Sequence, residues 1–253
     1  MILRLTNICY AYNSSSRNAL EKISFQVDSS EPLGILGKNG SGKTTLLKIL
    51  VQQNINYVGD YSIDNVNSKG FNGEILSKCR WGYLPEEIEL DGRLTGYETA
   101  TVIAGIRGLD EGEFKKEILD LKNRLRIASW FEMKMCREYS AGMRRKVGLL
   151  IAFMGHRKLV ILDEPTTFLD VLTVLELKKL IREKIAEGVG IIISSHIVDF
   201  IASLLDRIVV LNDGQLQYDG KLSVLRQEVP DKTLDNIFID LLSDKASEGM
   251  GNT

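Results

Sequence analysis

The sequence predicts an α/β fold with a mostly parallel sheet, an antiparallel β subdomain and a helical insert. Continuous apolar runs at residues 33–36, 159–162 and 189–193 are typical of parallel strands that are buried on both faces. Residues 2–12 and 19–27 instead alternate apolar and polar side chains, which indicates β structure with one exposed face. Between residues 90 and 135 apolar side chains recur at helical spacing, so we expect helices to interrupt the α/β lobe.

The composition is that of an ordinary globular protein. Of the 253 residues, 44% are apolar and 26% are charged, which suffices for a full core. A net charge of −2 without a long basic block predicts no nucleic-acid partner. Three scattered cysteines, Cys9, Cys79 and Cys136, favour a reducing compartment. The chain starts without a secretory apolar segment, and the sequence has no apolar run of membrane-spanning length, so we expect no membrane span.

Local signals place the element boundaries. The opening strands are expected to enclose a polar turn at residues 13–17, and Asn212-Asp213-Gly214 predicts a type I′ hairpin. In the helical insert, Thr95 and Glu98 form a capping box, and Gly108 is the expected stop. Residues 113–125 and 171–188 show amphipathic helical spacing, and Gly188 closes the second helix. The small, polar residues 244–253 are expected to fray.

A phosphate-binding loop follows the first apolar strand. Residues 37–44 fit the pattern G-x-x-x-x-G-K-[ST] and lead into an apolar helix, as in a P-loop NTPase core. Backbone N–H groups of such a loop and the positive end of the helix bind phosphate oxygens. Lys43 is expected to reach the β- and γ-phosphates, and the Thr44 hydroxyl to ligate Mg²⁺. The alternative is a glycine-rich turn without a ligand. The predicted nucleotide-binding residues of the loop are Gly37, Lys38, Asn39, Gly40, Ser41, Gly42, Lys43, Thr44 and Thr45.

Two acids end the second apolar run, at Asp163 and Glu164. A buried strand that ends at Asp163 would deliver its carboxylate to the Mg²⁺ of the nucleotide. Glu164 has no such ligand role and could polarise an attacking water, so it is the candidate general base. Acids at a strand end are also common as simple turn residues, and this alternative weakens because the phosphate loop precedes them.

The sequence of residues 139–156, "YSAGMRRKVGLLIAFMGH", is typical of the beginning of an α-helix. Ser140 is a conventional N-cap, and apolar residues from Met143 to Met154 line one face. Ser140, Ala141 and Gly142 also form a second small-residue anion site at a helix N-terminus.

Together these motifs resemble the nucleotide-binding subunits of ATP-binding cassette (ABC) transporters, over essentially the whole chain. Residues 139–143 stand where that family carries its signature, usually Leu-Ser-Gly-Gly-Gln. Only Ser140 and Gly142 are kept, whereas Tyr139, Ala141 and Met143 depart from the pattern. The resemblance implies that Ser140, Ala141, Gly142 and Met143 bind the nucleotide held by a second chain.

The resemblance assigns further roles by position. Asp170 corresponds to the aspartate that communicates across the dimer, and His196, after the third apolar run, to the catalytic γ-phosphate-sensing histidine. The alternative for His196 is a helix-terminal histidine with a backbone partner. Tyr12 falls where the family stacks an aromatic ring on adenine, although Tyr10 lies two residues earlier and is expected on the same strand face.

Glu86 is the main departure from the family pattern. It stands where a glutamine is expected, in the loop that completes the metal and water shell and joins the core lobe to the helical insert. A glutamate keeps an oxygen that can ligate Mg²⁺ but adds a negative charge. The alternative is a charged loop residue.

The resemblance implies one ABC ATPase domain over residues 1–253. Residues 1–87 and 146–230 would form the core lobe with its β subdomain, residues 88–145 the helical subdomain, and residues 231–253 a C-terminal helix and flexible tail. ATP and Mg²⁺ are the implied cofactors, bound by a homodimer or a heterodimer with a second ABC subunit. An integral-membrane permease on a separate chain is the implied partner, and the chain would be cytoplasmic, on the inner face of the membrane.

The motifs "GYLPEE" and "YSAGM" resemble the branch that serves drug, antibiotic and ion exporters, so we expect export. Two alternatives stay open. A soluble ABC ATPase that acts on ribosomes or DNA usually carries two cassettes or long coiled coils, and this sequence predicts neither of these nor the basic surface expected for phosphate contacts. A small-molecule kinase would explain the phosphate loop but not Ser140–Met143, Asp170 and His196 together.

Overall fold

The computed structural model describes residues 2–12, 17–28, 30–68 and 81–243. The chain packs as two compact units, the first formed by residues 1–78 and 190–253 and the second by residues 79–189. The first segment contains β1 (Ile2–Tyr10), β2 (Leu20–Asp28), β3 (Leu33–Leu36), α1 (Lys43–Leu50), β4 (Val58–Ile63) and β5 (Val66–Asn67). The second unit contains β6 (Trp81–Leu84), α2 (Gly96–Ile106), α3 (Glu111–Arg124), α4 (Trp130–Met133), a 3₁₀ turn (Cys136–Glu138), α5 (Ala141–Phe153), β7 (Leu159–Asp163) and α6 (Val171–Ala186). The last segment contains β8 (Gly190–Ser195), α7 (Val198–Ala202), β9 (Arg207–Asn212), β10 (Gln215–Lys221), α8 (Leu222–Glu228) and α9 (Leu234–Leu241).

The first unit contains the predicted antiparallel sheet, in the order β2-β1-β4-β5. Its register pairs Leu3 with Val27 on one side and Leu5 with Tyr61 on the other. These apolar residues are buried, while their neighbours along the strands are largely exposed. The alternation in the sequence therefore marks one buried face, as predicted.

Parallel strands of the first unit hold the phosphate loop. β3 lies between β8 and β9 and is parallel to both, and β10 pairs antiparallel with β9. All four residues of β3 and all six of β8 are buried, which explains their continuous apolar runs. The β9–β10 turn has φ of +49° at Asp213 and +77° at Gly214, so the predicted type I′ hairpin is confirmed.

In the second unit β6 and β7 pair in parallel, and α5 packs on both strands. The predicted capping box of Thr95 and Glu98 begins α2, and Ser140 caps α5 by accepting a hydrogen bond from the Met143 N–H. Gly108 and Gly188 follow the ends of α2 and α6 with positive φ, as expected for C-terminal caps. These short-range predictions are confirmed.

One local expectation is corrected. β1 ends at Tyr10, so Tyr12 lies beyond the strand and does not share a strand face with Tyr10. Residues 13–16 of the turn expected at residues 13–17, Cys79 and the tail from residue 244 lie outside the described residues. The proposed bounds of the core lobe and of the helical subdomain stay predictions. Over the described ranges, no helix is long and apolar enough to cross a membrane.

Candidate functional site

The phosphate loop connects β3 to α1 in the first unit. Gly40 and Gly42 have φ of +80° and +103°, a conformation that side-chain-bearing residues rarely adopt. Gly42 is the N-cap of α1 and makes no side-chain cap hydrogen bond, and the first turn of the helix has no acidic residue. The N-terminal amides and the positive end of the helix dipole are thus suited to an anion.

Polar groups of the loop fit a phosphate. The Lys43 ammonium is buried and donates to the carbonyls of Gly37, at 2.9 Å, and Lys38, at 3.1 Å. The Ser41 hydroxyl oxygen is buried and has no hydrogen-bond partner within the described part of the chain. This arrangement favours an incoming anion, because the Ser41 hydroxyl gains a hydrogen-bond acceptor and the Lys43 ammonium gains an opposite charge when the anion binds.

Tyr12 lies beside this loop. Its hydroxyl is 3.0 Å from the Thr45 hydroxyl in α1, and its ring meets the Tyr10 ring edge-on with 5.0 Å between centroids. The Tyr12 side chain stays 40% exposed, so part of the ring is open for stacking. Tyr12 therefore contacts the helix that follows the loop through its hydroxyl.

The acidic pair ends β7 in the second unit. Every residue of β7 is buried, and Asp163 is completely so. Glu164 is 5% exposed and has φ of +46°, in the left-handed region. A buried carboxylate on a strained backbone is costly, and such residues concentrate at functional sites.

Arg145 is a buried charge that the sequence reasoning missed. It is 2% exposed and lies on α5. Its guanidinium donates to the backbone carbonyls of Glu86 at 2.7 Å, Pro85 at 3.0 Å and Asp163 at 3.3 Å. Burial lowers the pKa of this guanidinium, and the nearby carboxylates of Asp163, Glu86 and Glu164 oppose that shift. The sequence offered one weak signal that this residue is buried. Arg145 stands in the middle of three consecutive basic residues, on a helix that is otherwise mostly apolar.

The signature segment begins α5. Ser140 and Ala141 are exposed, and Ser140 accepts a hydrogen bond from the Met143 N–H at 3.2 Å. Gly142 lies so close to the backbone of Phe168 that an added Cβ would be 2.8 Å from its carbonyl oxygen. The retained glycine is therefore required by packing within this unit, independently of any ligand.

Asp170 caps α6 and contacts α5. Its carboxylate accepts hydrogen bonds from the Thr173 N–H, at 2.9 Å, and the Thr173 hydroxyl, at 2.7 Å, and Lys146 lies 3.3 Å away. The Thr173 hydrogen bonds, followed by the Lys146 charge, hold the pKa of Asp170 well below its usual range. Asp170 thus ties α6 to the helix that carries the signature.

Glu86 and His196 are both exposed. Glu86 follows β6 in the second unit, and its backbone carbonyl accepts a hydrogen bond from Arg145. His196 follows β8 in the first unit, at the carboxyl end of the strand next to β3. The carboxyl ends of parallel strands are where α/β proteins place their ligands.

The predicted metal ligands fit Mg²⁺ by chemistry. Within the described ranges no cluster of three or more His, Cys, Asp or Glu side chains forms a ready-made metal site. Mg²⁺ needs none, because it is usually bound by one or two carboxylates together with waters and substrate phosphates. Thr44, Asp163 and Glu86 supply only oxygen donors, which suits this cation.

Comparisons with known proteins agree with the fold. A sequence profile described as ABC transporter matches residues 20–167. An uncharacterized ABC transporter ATP-binding protein of Methanocaldococcus jannaschii is 34% identical over 87% of this chain and 79% of its own. The lantibiotic transport ATP-binding protein SrtF of Streptococcus pyogenes is 28% identical over 87% of this chain and 92% of its own. A solved ATP-binding subunit of an ABC transporter has a TM-score of 0.84 at 28% identity, and the match covers 96% of this chain and 100% of that one.

The resemblance seen in the sequence and the predicted α/β class are therefore confirmed. The chain belongs to the ABC transporter family and is one of its ATP-binding, ATP-hydrolysing subunits.

Proposed function

We propose that this chain drives a separate membrane permease by binding and hydrolysing Mg²⁺–ATP between two cassettes. The buried acidic pair at the end of β7 is the observation that supports this proposal most. Asp163 and Glu164 are 0% and 5% exposed, although each carries a carboxylate. Because burying carboxylates costs free energy, a fold keeps such a pair where its chemistry is used.

The phosphate loop is proposed to hold the triphosphate. Backbone amides around Gly40 and Gly42 and the amino end of α1 would bind its oxygens, and Lys43 would exchange its two carbonyl partners for phosphate. The exposed ring of Tyr12 would stack on the base, a contact worth about 1–3 kcal/mol. When bound, Mg²⁺ neutralises charge on the phosphates, and we propose Thr44, Asp163 and Glu86 as its protein ligands.

Glu164 is proposed as the general base and His196 as the residue that contacts the γ-phosphate. Glu164 is one residue beyond Asp163, and its φ of +46° turns the chain away from the direction of the strand. Its carboxylate is therefore presented differently from that of Asp163, as separate roles require. A positioned base contributes about 10²–10⁴-fold in rate.

Two cassettes are proposed to close head-to-tail, as a homodimer or with a second ABC subunit. The exposed Ser140 and Ala141 of one chain would then cover the nucleotide held by the loop of the other. Exposed apolar side chains at Phe168, Val171 and Leu172, beside Asp170, support an interface at this edge of the second unit. ATP would join the two subunits, and hydrolysis would release them.

Export is the proposed direction of transport, with the chain peripheral on the cytoplasmic face through its permease. The likeness to the lantibiotic transport protein supports the antibiotic and drug branch that the segments "GYLPEE" and "YSAGM" resemble. The helical subdomain and the loop at Glu86 would receive the permease. The alternative, a soluble ABC ATPase on ribosomes or DNA, has less support, because a net charge of −2 and a sequence without a long basic block do not favour phosphate contacts.

Affinity purification from detergent-solubilised membranes tests the proposed partner. We expect a polytopic membrane protein to be recovered in stoichiometric amount and to change the rate of ATP hydrolysis when reconstituted. A chain that instead fractionates with ribosomes or DNA, and hydrolyses ATP at a rate set by them, would support the alternative.

A further inference from the structure

Arg145 has no role in the site described so far, although its burial is unusual. Lysine, arginine and the acidic residues are almost never fully buried unless they are paired. Arg145 is 2% exposed, and the hydrogen bonds of its guanidinium go to backbone carbonyls rather than to a carboxylate. The fork of the guanidinium suits this arrangement, because its donors diverge in one plane and it stays charged when buried.

The three carbonyls that accept hydrogen bonds from Arg145 belong to the two segments of the second unit that are proposed to bind the metal. The carbonyls of Pro85 and Glu86 belong to the loop after β6, and the carbonyl of Asp163 belongs to the end of β7. Residues 86 and 163 are far apart in the sequence, and one guanidinium bonds the backbone of both. The position of the loop relative to the acidic pair therefore depends on Arg145.

Burial lowers the pKa of the Arg145 guanidinium, and three carboxylates in its surroundings oppose this shift. Asp163 acts on it most strongly, followed by Glu86 and Glu164. Glu86 carries a charge that the glutamine usual at this position would lack, and the guanidinium that bonds the Glu86 backbone carbonyl carries the opposite charge.

We propose that Arg145 is a positioning residue that fixes the Glu86 loop to the Asp163 strand end, and that its charge offsets the repulsion between Glu86 and the nucleotide phosphates. This inference rests on the proposed function in placing Glu86 and Asp163 at the metal shell. It explains how the chain tolerates a glutamate beside the triphosphate, because the extra negative charge has a fixed partner within the same unit.

A double-mutant cycle tests the charge compensation. ATP affinity is measured by nucleotide titration in the presence of a chelator for the wild type, Arg145→Gln, Glu86→Gln and the double variant. We expect Arg145→Gln to weaken metal-free binding by about tenfold, on the scale of couplings between residues in contact. In the Glu86→Gln background, Arg145→Gln should weaken metal-free ATP binding only about twofold. The carbonyl bonds of Arg145 survive in Glu86→Gln, so a merely structural Arg145 would give equal losses in both backgrounds.

Two further variants control for folding and for the kind of group required. Arg107 is a half-buried arginine of the second unit that also donates to backbone carbonyls, those of Ile151 and Met154 at the end of α5. Arg107→Gln should lower the thermal unfolding temperature and leave metal-free ATP affinity unchanged. Arg145→Lys keeps the charge and loses the fork, so its metal-free affinity should stay within about twofold of the wild type while kcat falls. This variant also tests the proposal if Arg145→Gln does not fold.

The outcomes separate this inference from the proposed function. Equal losses in both backgrounds, or a tenfold loss in Arg145→Lys, would overturn the role of Arg145 and leave the nucleotide site as proposed. If Glu86→Gln alone leaves the dependence of ATP affinity on Mg²⁺ unchanged, then Glu86 lies outside the metal shell, and both proposals about it are wrong.

Discussion

Glu164 destabilises the folded chain in two ways, through the burial of its carboxylate and through its backbone conformation. Its side chain is 5% exposed, and its φ of +46° lies in a region that costs non-glycine residues about 1–3 kcal/mol. Neither cost benefits the packing of β7, which already ends at Asp163. Both are consistent with a carboxylate that is held in place to act on a water molecule.

Replacing Glu164 by glutamine isolates that role, because the amide matches the carboxylate in size but is a poor base. We expect Glu164→Gln to bind ATP as the wild type does and to hydrolyse it about 10²–10⁴-fold more slowly. Single-turnover hydrolysis and nucleotide titration measure the two quantities. Glu187→Gln, an exposed change at the end of α6, is the matched control and should behave as the wild type. Turnover of Glu164→Gln within a few-fold of the wild type would exclude Glu164 as the base.

At the scale of elements, Tyr139 explains a departure from the family signature. The leucine usual there is replaced by a tyrosine that is 2% exposed, and its ring meets Trp130 edge-on. The Tyr139 hydroxyl accepts a hydrogen bond from the Gly96 N–H, at 2.8 Å, at the start of α2. It also donates to the Phe131 carbonyl at 3.3 Å. Tyr139 thus joins α2, α4 and the segment before α5, and serves the packing of these helices.

Removal of this hydroxyl should destabilise the second unit in a pH-dependent way. Tyr139→Phe leaves the buried Gly96 N–H without its partner, so we expect the free energy of unfolding to fall by about 1–2 kcal/mol at neutral pH. Burial raises the pKa of Tyr139 to about 12, whereas an unfolded tyrosine ionises near pH 10. The stabilisation is therefore complete below pH 10 and is lost as pH rises towards 12.

Urea unfolding of both proteins at several pH values measures this difference. The gap between wild type and Tyr139→Phe should shrink from pH 9 to pH 12. Tyr97→Phe is a suitable control because Tyr97 packs through its ring against Phe114 and Phe131. A gap that is constant over this range would show that the Tyr139 hydroxyl is not protected as described.

At the scale of the whole molecule, the phosphate loop and the signature belong to different packing units. Lys43 lies in the first unit, and Ser140 lies in the second. A head-to-tail dimer would combine the loop of one chain with the signature of the other, so each composite site needs both chains. This arrangement can be tested without a structure of the dimer.

Complementation between two inactive chains provides the test. Lys43→Ala and Ser140→Arg should each be inactive as homodimers, because both composite sites are damaged. A heterodimer of the two, isolated through different tags, keeps one intact site and should recover ATP hydrolysis. The control is a heterodimer of the wild type with a chain that carries both substitutions, in which neither site is intact. Circular dichroism must show folded Ser140→Arg, since Ser140 also caps α5. An active control beside an inactive heterodimer of Lys43→Ala with Ser140→Arg would exclude sharing between chains, because only sites built within one chain give that result.

The sequence by itself determined the features that depend on neighbouring residues. The phosphate loop, the buried strands, the caps at Thr95 and Ser140 and the Asn212–Gly214 hairpin follow from short-range geometry and periodicity. It also determined the family, because the motifs occur in a fixed order along the chain.

Only the tertiary structure decided which groups meet across long separations. It brought Tyr12 to Thr45, set Gly142 against the Phe168 carbonyl and buried Arg145 between the Glu86 loop and Asp163. The sequence does not reveal the long-range contacts of Arg145 and Tyr139 because their hydrogen-bond partners are backbone groups. Arg145 and Tyr139 bond backbone carbonyl and amide groups, which every non-proline residue has, so no pattern of side chains marks the partner. The long-range packing of α5 on β6 and β7 selects those groups, and the sequence does not encode that packing in any local segment.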